Sequence, residues 1–447
     1  MNMDQQINKE TVTYVEKKFP FRKIKHVRYQ TKGVEQMLQT PKDKNILASL
    51  RNVDITYGSG LKAFRAVTDI NLNIYEGEVL GLVGESGSGK STLGRSLVSL
   101  VPYSFGEIKL LNRVLPKKLF RGFKFGKRLK EYKEIDNFLV NKLQMIFQDP
   151  ANSLNPRANV ETIVSEGLKN TKKAKEIWIY NNDQATLKEV YKKIDPEKYQ
   201  NEFYGTYLKT LNKEVYENEF VAYESIYVKL INKIKEYNLI EALEILNTKH
   251  LERLEMNKLT EKEARKLLVR DILISVGLDE SVLRRYPLEF SGGQQQRIGI
   301  SRAVVLRPQL LIADEPISAL DVSIQAQVVN IFNELKEKYN LTILFIAHDL
   351  RMVEYISDRI AVMNKGRILE VGKTEEIMKH SLHPYTKSLL DAVPSIKSKK
   401  GRLIGYVYDP KMHNYTHENQ PEWIKINDDH FVLGTKQEVE SWKQGKY

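Results

Sequence analysis

A glycine-rich stretch with one lysine is the feature of this chain whose spacing predicts chemistry most directly. Within GLVGESGSGKSTLGRSLVSL, residues 81–100, the pattern G-x-x-x-x-G-K-[ST] is met by Gly84, Gly89, Lys90 and Ser91. Glycines let the backbone curl so that successive N–H groups converge on phosphate oxygens, the lysine neutralises the β and γ charges, and the hydroxyl can ligate Mg²⁺. The pattern predicts a nucleoside triphosphate site at the start of a helix.

An apolar run that ends in two acidic residues predicts the hydrolytic half of the chemistry. LLIADEP, residues 310–316, ends its apolar part at Asp314 and Glu315. Ligands of open parallel sheets bind at the carboxyl ends of the strands, so both carboxylates are expected beside the phosphate loop. Asp314 could hold Mg²⁺ through water, and Glu315 could polarise an attacking water. The alternative is that the two acidic residues end the strand by chance. It is disfavoured because the same chain contains the phosphate-loop lysine, Lys90.

A second phosphate-binding surface is predicted by FSGGQQQR, residues 290–297. A Ser-Gly-Gly run that opens a helix offers backbone N–H groups, a hydroxyl and a helix N-terminus to an anion. By itself the run is an ordinary flexible turn, so its function depends on the other motifs.

Composition and charge narrow the classes of protein. The chain has 447 residues, of which 41% are hydrophobic and 28% charged, as in ordinary globular proteins. It contains no cysteine, which excludes disulfides, thiolate metal sites and cysteine catalysis. Its net charge of +13 permits an anionic partner. Lysines and glutamates are nevertheless spread along the chain, which favours a general lysine bias over a nucleic-acid footprint.

The first residues and the apolar runs of the chain indicate whether it is expected to cross a membrane. Residues 1–19 are polar and charged, unlike a secretory leader. Apolar runs such as LTILFIA, residues 341–347, have the length of a strand, well short of the roughly 20 residues of a membrane helix. We therefore expect a soluble or peripheral protein, with other chains crossing the bilayer if a membrane process is served.

The texture of the sequence predicts three regions. Residues 1–48 are polar, basic and poorly periodic, and are expected to form an extension with partial order. Residues 49–396 alternate strand and helix patterns, with a basic loop region expected at 116–141. Within them, residues 169–258 have almost no Gly or Pro and carry apolar residues three and four apart, which predicts an inserted helical subdomain. Residues 397–447, which have no clear periodicity, are expected to form a C-terminal tail or small subdomain.

Six motifs in one order resemble a known family. GESGSGKST, QMIFQDP, FSGGQQQR, LLIADEP, SALD and FIAHD are similar to the motifs of the nucleotide-binding domain of ABC transporters. The resemblance covers about residues 50–394 apart from the inserted segment. It implies an α/β P-loop NTPase fold with a mostly parallel sheet, an antiparallel N-terminal β-subdomain and an enlarged helical subdomain.

The resemblance also implies a role for each motif residue. Glu315 would be the catalytic base, His348 a γ-phosphate contact, and Gln148 a sensor of the γ-phosphate and Mg²⁺ that links them to the membrane subunit. Asp314 and Ser91 would support the metal with Gln148, and Asp321 would bridge two nucleotide-binding subunits. The residues expected to bind ATP are Tyr57, Gly84, Ser86, Gly87, Ser88, Gly89, Lys90, Ser91 and Thr92.

Two assignments depend on more than one residue. Tyr57 would stack on adenine, with Phe64 nearby as the alternative ring. Ser291, Gly292, Gly293 and Gln294 would close over the ATP of a partner chain. Each site for ATP would then be shared between two subunits.

Longer stretches, including RYPLEFSGGQQQRIGISRAVVLRP and HSLHPYTKSLLDAVP, are similar to the peptide-importer branch of the family. The resemblance implies an ATPase at the cytoplasmic face of the cell membrane that drives oligopeptide import, with ATP and Mg²⁺ as ligands. Its partners would be a sister ATP-binding subunit, two transmembrane permease subunits and, indirectly, an extracellular peptide-binding protein. The alternatives are a dipeptide or nickel importer of the same branch, a nucleic-acid-associated ABC ATPase, and a scaffold that binds ATP without hydrolysis.

Overall fold

The computed structural model describes residues 11–18, 22–119, 126–318, 320–392, 406–416 and 419–447. The chain divides into two compact units, residues 1–150 with 308–447 and residues 151–307. The strands are, in chain order, β1 (Thr11–Lys18), β2 (Arg22–Tyr29), β3 (Ile46–Tyr57), β4 (Phe64–Tyr75), β5 (Val79–Val83), β6 (Phe105–Leu110), β7 (Arg113–Val114), β8 (Leu143–Ile146), β9 (Leu310–Asp314), β10 (Thr342–Ala347), β11 (Arg359–Asn364), β12 (Arg367–Lys373), β13 (Glu422–Asn427) and β14 (His430–Gly434).

The α-helices occupy both units. They are α1 (Val34–Met37), α2 (Lys90–Leu97), α3 (Gly126–Lys142), α4 (Pro150–Ser153), α5 (Val160–Thr171), α6 (Ala174–Tyr191), α7 (Gln200–Phe203), α8 (Thr206–Glu217), α9 (Glu219–Tyr223), α10 (Ile231–Glu236), α11 (Ile240–Met256), α12 (Glu261–Ser275), α13 (Gly292–Val304), α14 (Val322–Tyr339), α15 (Leu350–Glu354), α16 (Thr374–His380), α17 (Pro384–Asp391) and α18 (Lys436–Lys443). A π-helical segment, Glu224–Leu230, joins α9 to α10. Among the described helices, none combines the length and apolar character needed to cross a membrane.

The first unit is built on a mixed sheet. Its eight described strands lie in the order β13-β14-β12-β11-β5-β10-β9-β8. Strands β11, β5, β10, β9 and β8 run parallel to one another, and β5, β9 and β10 are buried along their whole length. Continuous apolar runs are typical of strands covered on both faces. The mostly parallel α/β fold class is confirmed, and the loops after β5, β8, β9 and β10 meet at one edge.

An antiparallel sheet and a hairpin accompany this core. The described sheet has the order β4-β3-β6-β7, and β1 pairs with β2 as a separate hairpin. The hairpin is tied to β3, because Tyr14 donates to Asn52 Oδ1 at 2.9 Å and Arg28 donates to Asp54 at 2.7 Å. The described part of residues 1–48 thus contains two strands, a short helix and the first residues of β3.

The tail is more ordered than its sequence suggests. Residues 422–434 form the hairpin β13–β14, and β14 extends the central sheet by pairing with β12. Trp423, Val432 and Trp442 are buried in this part of the chain. Sheet pairing between segments about sixty residues apart leaves no periodic signal in a local window, so the pattern of the tail could not reveal it.

The expected loop region at 116–141 is wrong for most of its length, because α3 begins at Gly126 and continues to Lys142. Leu139 is buried, and Ile135 and Phe138 pack against the same core. Apolar residues three and four positions apart form one face of a helix. The segment is also rich in lysine and arginine, so its composition resembles that of a basic loop.

The second unit is helical. Its inserted part, which the sequence places at 169–258, consists of α6 to α11 with their connections and the end of α5. Buried aliphatic side chains and Tyr227 form its core, and tyrosines such as Tyr191 and Tyr204 lie partly buried around them. Arg253 and Asp183 are buried together, with Nε 3.2 Å from Oδ1. The predicted amphipathic helices are therefore present, and most of the tyrosines are packing residues.

Candidate nucleotide-binding site

The phosphate loop connects β5 to α2, as its pattern predicts. Val83 ends β5, and Lys90 is the first residue of α2. A Cβ added to Gly84 would lie 1.9 Å from the carbonyl oxygen of Met363, so the loop approaches β11 too closely for any side chain at this position. Gly89 has a φ of 103°, which is accessible to glycine and strained for other residues. These constraints explain two of the glycines of the motif.

Lys90 is folded onto the loop that precedes it. The residue is 3% exposed, and its Nζ donates to the carbonyl oxygens of Gly84 at 2.7 Å and Glu85 at 2.8 Å. Burial lowers the pKa of Lys90, and the carboxylates of Glu315 and Asp314 oppose that shift. An ammonium group held by carbonyls of its own loop is placed to exchange them for phosphate oxygens.

Asp314 lies at the end of β9 with its side chain fully buried. Ser91 donates to its Oδ1 at 2.7 Å, whereas Arg95 approaches Oδ2 only to 3.9 Å. Oδ2 has no hydrogen-bond partner among the residues that the structure describes. Burial raises the pKa of Asp314, and the Ser91 hydroxyl and Arg95 oppose this. A buried carboxylate oxygen that accepts no hydrogen bond is suited to be a cation ligand.

Glu315 follows Asp314 in an unusual backbone conformation. Its φ is 46°, in the left-handed region that residues other than glycine rarely adopt. Its N–H donates to the carbonyl oxygen of Ile346 on β10 at 3.0 Å, which fixes this turn to the neighbouring strand. Left-handed residues of this kind cost about 1–3 kcal/mol and are concentrated at functional sites. The conformation separates the directions of the two carboxylates.

The Glu315 carboxylate contacts two other residues that the sequence selects. Gln148, after β8, donates from Nε2 to Glu315 Oε2 at 2.8 Å. His348, after β10, has its Nδ1 3.8 Å from the same oxygen, and its ring is half exposed. Three loops at the carboxyl edge of the sheet therefore meet at one carboxylate, which is accessible to water.

The residues proposed for adenine lie at the mouth of the loop. Tyr57 ends β3 and is 42% exposed, and its hydroxyl donates to Thr92 Oγ1 at 3.3 Å. Phe64 is opposite Tyr57 in the β3–β4 pair and is also exposed. Both rings are available on this edge, so the assignment of Tyr57 stays a prediction. Ser86 and Gly87 are exposed in the loop, and Ser88 is buried.

The signature residues lie in the second unit, at the start of α13. Ser291 is the N-cap: its Oγ accepts from the Gln294 N–H at 3.4 Å, and Gln294 Oε1 accepts from the Ser291 N–H at 3.2 Å. Gly292 follows with open space around it, while Gly293 is partly buried. The helix N-terminus is thus formed and exposed.

Asp321 immediately precedes α14 in the first unit and is exposed. Its carbonyl oxygen accepts from the N–H groups of Ile324 and Gln325 at 2.9 Å, which begins the helix. Of the SALD motif, Ala319 lies outside the described residues. An exposed carboxylate at a helix N-terminus is free to contact another chain, and its bridging role stays a prediction.

One contact of the loop was missed at the sequence level. The Glu85 N–H donates to the hydroxyl of Tyr385 at 2.9 Å, although 300 positions separate them. Tyr385 belongs to the stretch HPYTKSLL, which is similar to the peptide importers but matches no motif that assigns its residues a role. Arg95, near Asp314, was missed as well, although its position one helical turn after Ser91 on α2 could have suggested it.

The parallel sheet, its phosphate loop and the two carboxylates at the end of β9 define a P-loop nucleoside triphosphatase. Residues 67–318 match the family model described as ABC transporter, and residues 369–415 match the one described as oligopeptide/dipeptide transporter, C-terminal region. The chain belongs to the ABC transporter family and is one of its ATP-binding ATPase subunits.

Individual relatives indicate to which branch of the family this chain is similar. The oligopeptide transport ATP-binding protein OppF of Streptococcus pyogenes serotype M1 is 37% identical over 401 residues, covering 89% of this chain and 98% of that protein. The dipeptide transport ATP-binding protein DppF of Lactococcus lactis subsp. cremoris (strain MG1363) is 39% identical over 404 residues, covering 89% and 97%. Among solved structures, cbiO1 from Clostridium perfringens has a TM-score of 0.48 and 22% identity, covering 75% of this chain and 92% of that one. The sequence matches confirm the resemblance to the peptide-importer branch.

Proposed function

We propose that this chain hydrolyses ATP at the cytoplasmic face of a cell membrane to energise the import of oligopeptides. The observation that carries the proposal is the contact of the Glu315 carboxylate with Gln148 and His348 beside the buried Asp314. A sister ATP-binding subunit closes over the phosphate loop, two permease subunits cross the membrane, and an extracellular binding protein delivers the peptide. No nucleic acid takes part.

The phosphate loop and α2 hold the triphosphate in this proposal. Lys90 leaves the carbonyls of Gly84 and Glu85 and pairs with the β- and γ-phosphates, which supply stronger, charged acceptors. Backbone N–H groups of residues 86–92 face the same anion. Tyr57 stacks on the adenine at the mouth of the loop. The catalytic domain spans residues 49–396, with 1–48 and 397–447 as extensions.

The oxygen atoms around Asp314 fit a magnesium ion. Ser91 Oγ donates to Asp314 Oδ1, and Oδ2 of the same carboxylate accepts no hydrogen bond from the described residues. Hard oxygen ligands of this kind are those that Mg²⁺ prefers. Gln148 would add its amide oxygen. The bound ion would neutralise charge that develops on the phosphate oxygens.

Glu315 removes a proton from the attacking water. Its carboxylate points away from Asp314 and is oriented by the Gln148 amide, so a water on its open side is held toward the γ-phosphate. His348 donates to the γ-phosphate from the same edge of the sheet, where its Nδ1 lies 3.8 Å from the Glu315 carboxylate. The products are ADP and inorganic phosphate, and their release reopens the subunit pair.

The transported solute has two candidates. The matched C-terminal region is described for oligopeptide and dipeptide transporters, and relatives with both names have similar identity to this chain. Oligopeptide import is preferred because several relatives of that name match over 85% or more of the chain. Dipeptide import is the second candidate.

The experiment measures ATP turnover by the complete transporter in proteoliposomes that contain either the wild-type chain or Glu315→Gln. The peptide-binding protein is enclosed in the lumen and is loaded with peptides of graded length. We expect oligopeptides to stimulate turnover by the wild type. Glu315→Gln should lower turnover about 10²- to 10⁴-fold, because the general base is lost, and should retain ATP binding.

Glu334→Gln is the matched control, because Glu334 is exposed on α14 and its change removes the same charge elsewhere. It should behave as the wild type. Undiminished turnover by Glu315→Gln would refute the assigned base, and stimulation by dipeptides alone would select the second candidate.

A further inference from the structure

A tyrosine of the C-terminal segment forms a hydrogen bond with the backbone of the phosphate loop. Tyr385, in α17, is 1% exposed, and its hydroxyl accepts the hydrogen bond of the Glu85 N–H at 2.9 Å. We propose that Tyr385 is a positioning residue for ATP: it orients the peptide group between Gly84 and Glu85 and, through that group, the ammonium of Lys90. The proposal rests on the proposed function in one respect, that ATP occupies this loop.

A single peptide group joins the tyrosine to the lysine. The Glu85 N–H bonds to Tyr385, and the Gly84 carbonyl, the other end of the same peptide, accepts from Lys90 Nζ at 2.7 Å. In a planar trans peptide these two groups point to opposite sides. Tyr385 and Lys90 therefore approach from opposite edges, and the tyrosine hydroxyl fixes the plane in which the carbonyl meets the lysine. Hydrogen bonds in series also polarise and strengthen one another.

The loop needs outside anchors because it has few side chains of its own. Glycine loses more conformational freedom on ordering than any other residue, and Gly87 and Gly89 both have positive φ. One anchor is backbone: the Gly366 N–H donates to the Ser88 carbonyl oxygen at 2.9 Å. Tyr385 is an anchor that uses a side chain, so it can be changed without altering the backbone.

The hydroxyl of Tyr385 is itself held in a fixed position. His383 is the N-cap of α17, and its Nδ1 accepts from the Tyr385 N–H at 3.1 Å. Pro384 is the first helical residue, where its fixed φ suits the helix. The buried Glu370 accepts from the N–H groups of Leu382 at 2.7 Å and His383 at 3.3 Å. The sequence His-Pro-Tyr thus starts α17, and the second residue of this helix, Tyr385, reaches the loop.

The test is Tyr385→Phe, which removes one oxygen and keeps the ring. We expect the dissociation constant for ATP, measured by fluorescence titration of the purified chain, to rise about two- to tenfold, the equivalent of one hydrogen bond. In the assembled transporter, KM for ATP should rise by the same factor. Turnover at saturating ATP should change little, because Glu315 and Asp314 are untouched. A general loss of structure would instead weaken ATP binding and also lower turnover at saturating ATP.

Tyr408→Phe is the matched control. Tyr408 packs against Tyr385 with ring centroids 5.4 Å apart, but its hydroxyl contacts His413 Nε2 at 3.0 Å and not the loop. Its loss should leave ATP affinity unchanged, and thermal unfolding should report how much each hydroxyl contributes to the fold. Unchanged ATP affinity in Tyr385→Phe, or an equal loss in both variants, would overturn the positioning role. A wild-type chain that bound no ATP would instead overturn the proposed function, and this proposal with it.

Discussion

At Asp314 the requirements of activity and of stability are opposed. It is fully buried, one of its oxygens has no hydrogen-bond donor among the described residues, and burial raises its pKa. A raised pKa means that the ionised carboxylate is disfavoured in the folded state relative to the unfolded one, so the charge destabilises the fold at neutral pH. Evolution can retain such a group when a ligand uses its charge.

We therefore predict that Asp314→Asn, which keeps the shape, does not lower the thermal midpoint of the chain without ATP and Mg²⁺. The same change should lower ATP turnover about 10²- to 10³-fold, because the site loses its buried negative charge. Stabilisation by MgATP, measured as the rise of the midpoint on adding it, should also shrink.

Asp428→Asn is the control for Asp314→Asn, since Asp428 is exposed in the β13–β14 turn and pairs with Lys425 on the surface. It should alter neither turnover nor the MgATP effect. A large fall of the midpoint in Asp314→Asn without ligands would show that the carboxylate stabilises the fold and would contradict the argument.

At the scale of elements, the sequence predicts what is local and misses what is distant. The strand, loop and helix around Lys90 follow from glycine spacing and adjacent apolar runs, and they form as predicted. The hydrogen bond of Tyr385 to the loop joins residues 300 positions apart, and no pattern in either segment specifies it. The left-handed turn at Glu315 depends on β10 being beside β9, which is also set by tertiary packing.

The start of α17 makes the C-terminal segment sensitive to acid. Burial, and then the neighbouring His413, lower the pKa of His383 from 6.5 to about 3, so its ring is neutral and accepts the capping bond. A lowered pKa means that the fold favours the neutral form. Its contribution to the free energy of unfolding is complete above pH 6.5 and is lost as the pH falls from 6.5 towards 3.

We predict that His383→Asn makes the thermal midpoint less dependent on pH between 6.5 and about 3. Asparagine is a good N-cap, so the helix start survives while the titrating ring is removed. The other titratable residues near the His383 ring are the same in the wild type and the variant; they are Glu370, Tyr408 and His413. His380→Asn, on the exposed side of α16, should leave the slope as in the wild type. Equal slopes in all three chains would contradict the assignment to His383.

The whole molecule carries two kinds of phosphate-binding surface in two units. The phosphate loop, Asp314 and Glu315 belong to the first unit, whereas Ser291 and the start of α13 belong to the second. Ser86 and Gly87 of the loop and Ser291 at the start of α13 are exposed, and the pairing proposed above is with a sister chain. A subunit interface that includes ATP is stable only while ATP remains intact, because the ligand supplies part of the contact.

This predicts that association depends on both surfaces and on slow hydrolysis. Glu315→Gln chain with MgATP should remain at its own mass of 51.8 kDa in light scattering and should form a heterodimer when the sister subunit is added. Adding Ser291→Arg to Glu315→Gln should weaken that heterodimer, because a bulky cation then blocks the N-terminus of α13. Ser281→Arg, an exposed serine of the same unit, should leave association intact. If Glu315→Gln formed a dimer by itself, the partner would be a second copy of this chain, and the ATP site would still be shared. If Ser291→Arg left association unaffected, the shared site would be contradicted, and ATP would be bound by a single chain.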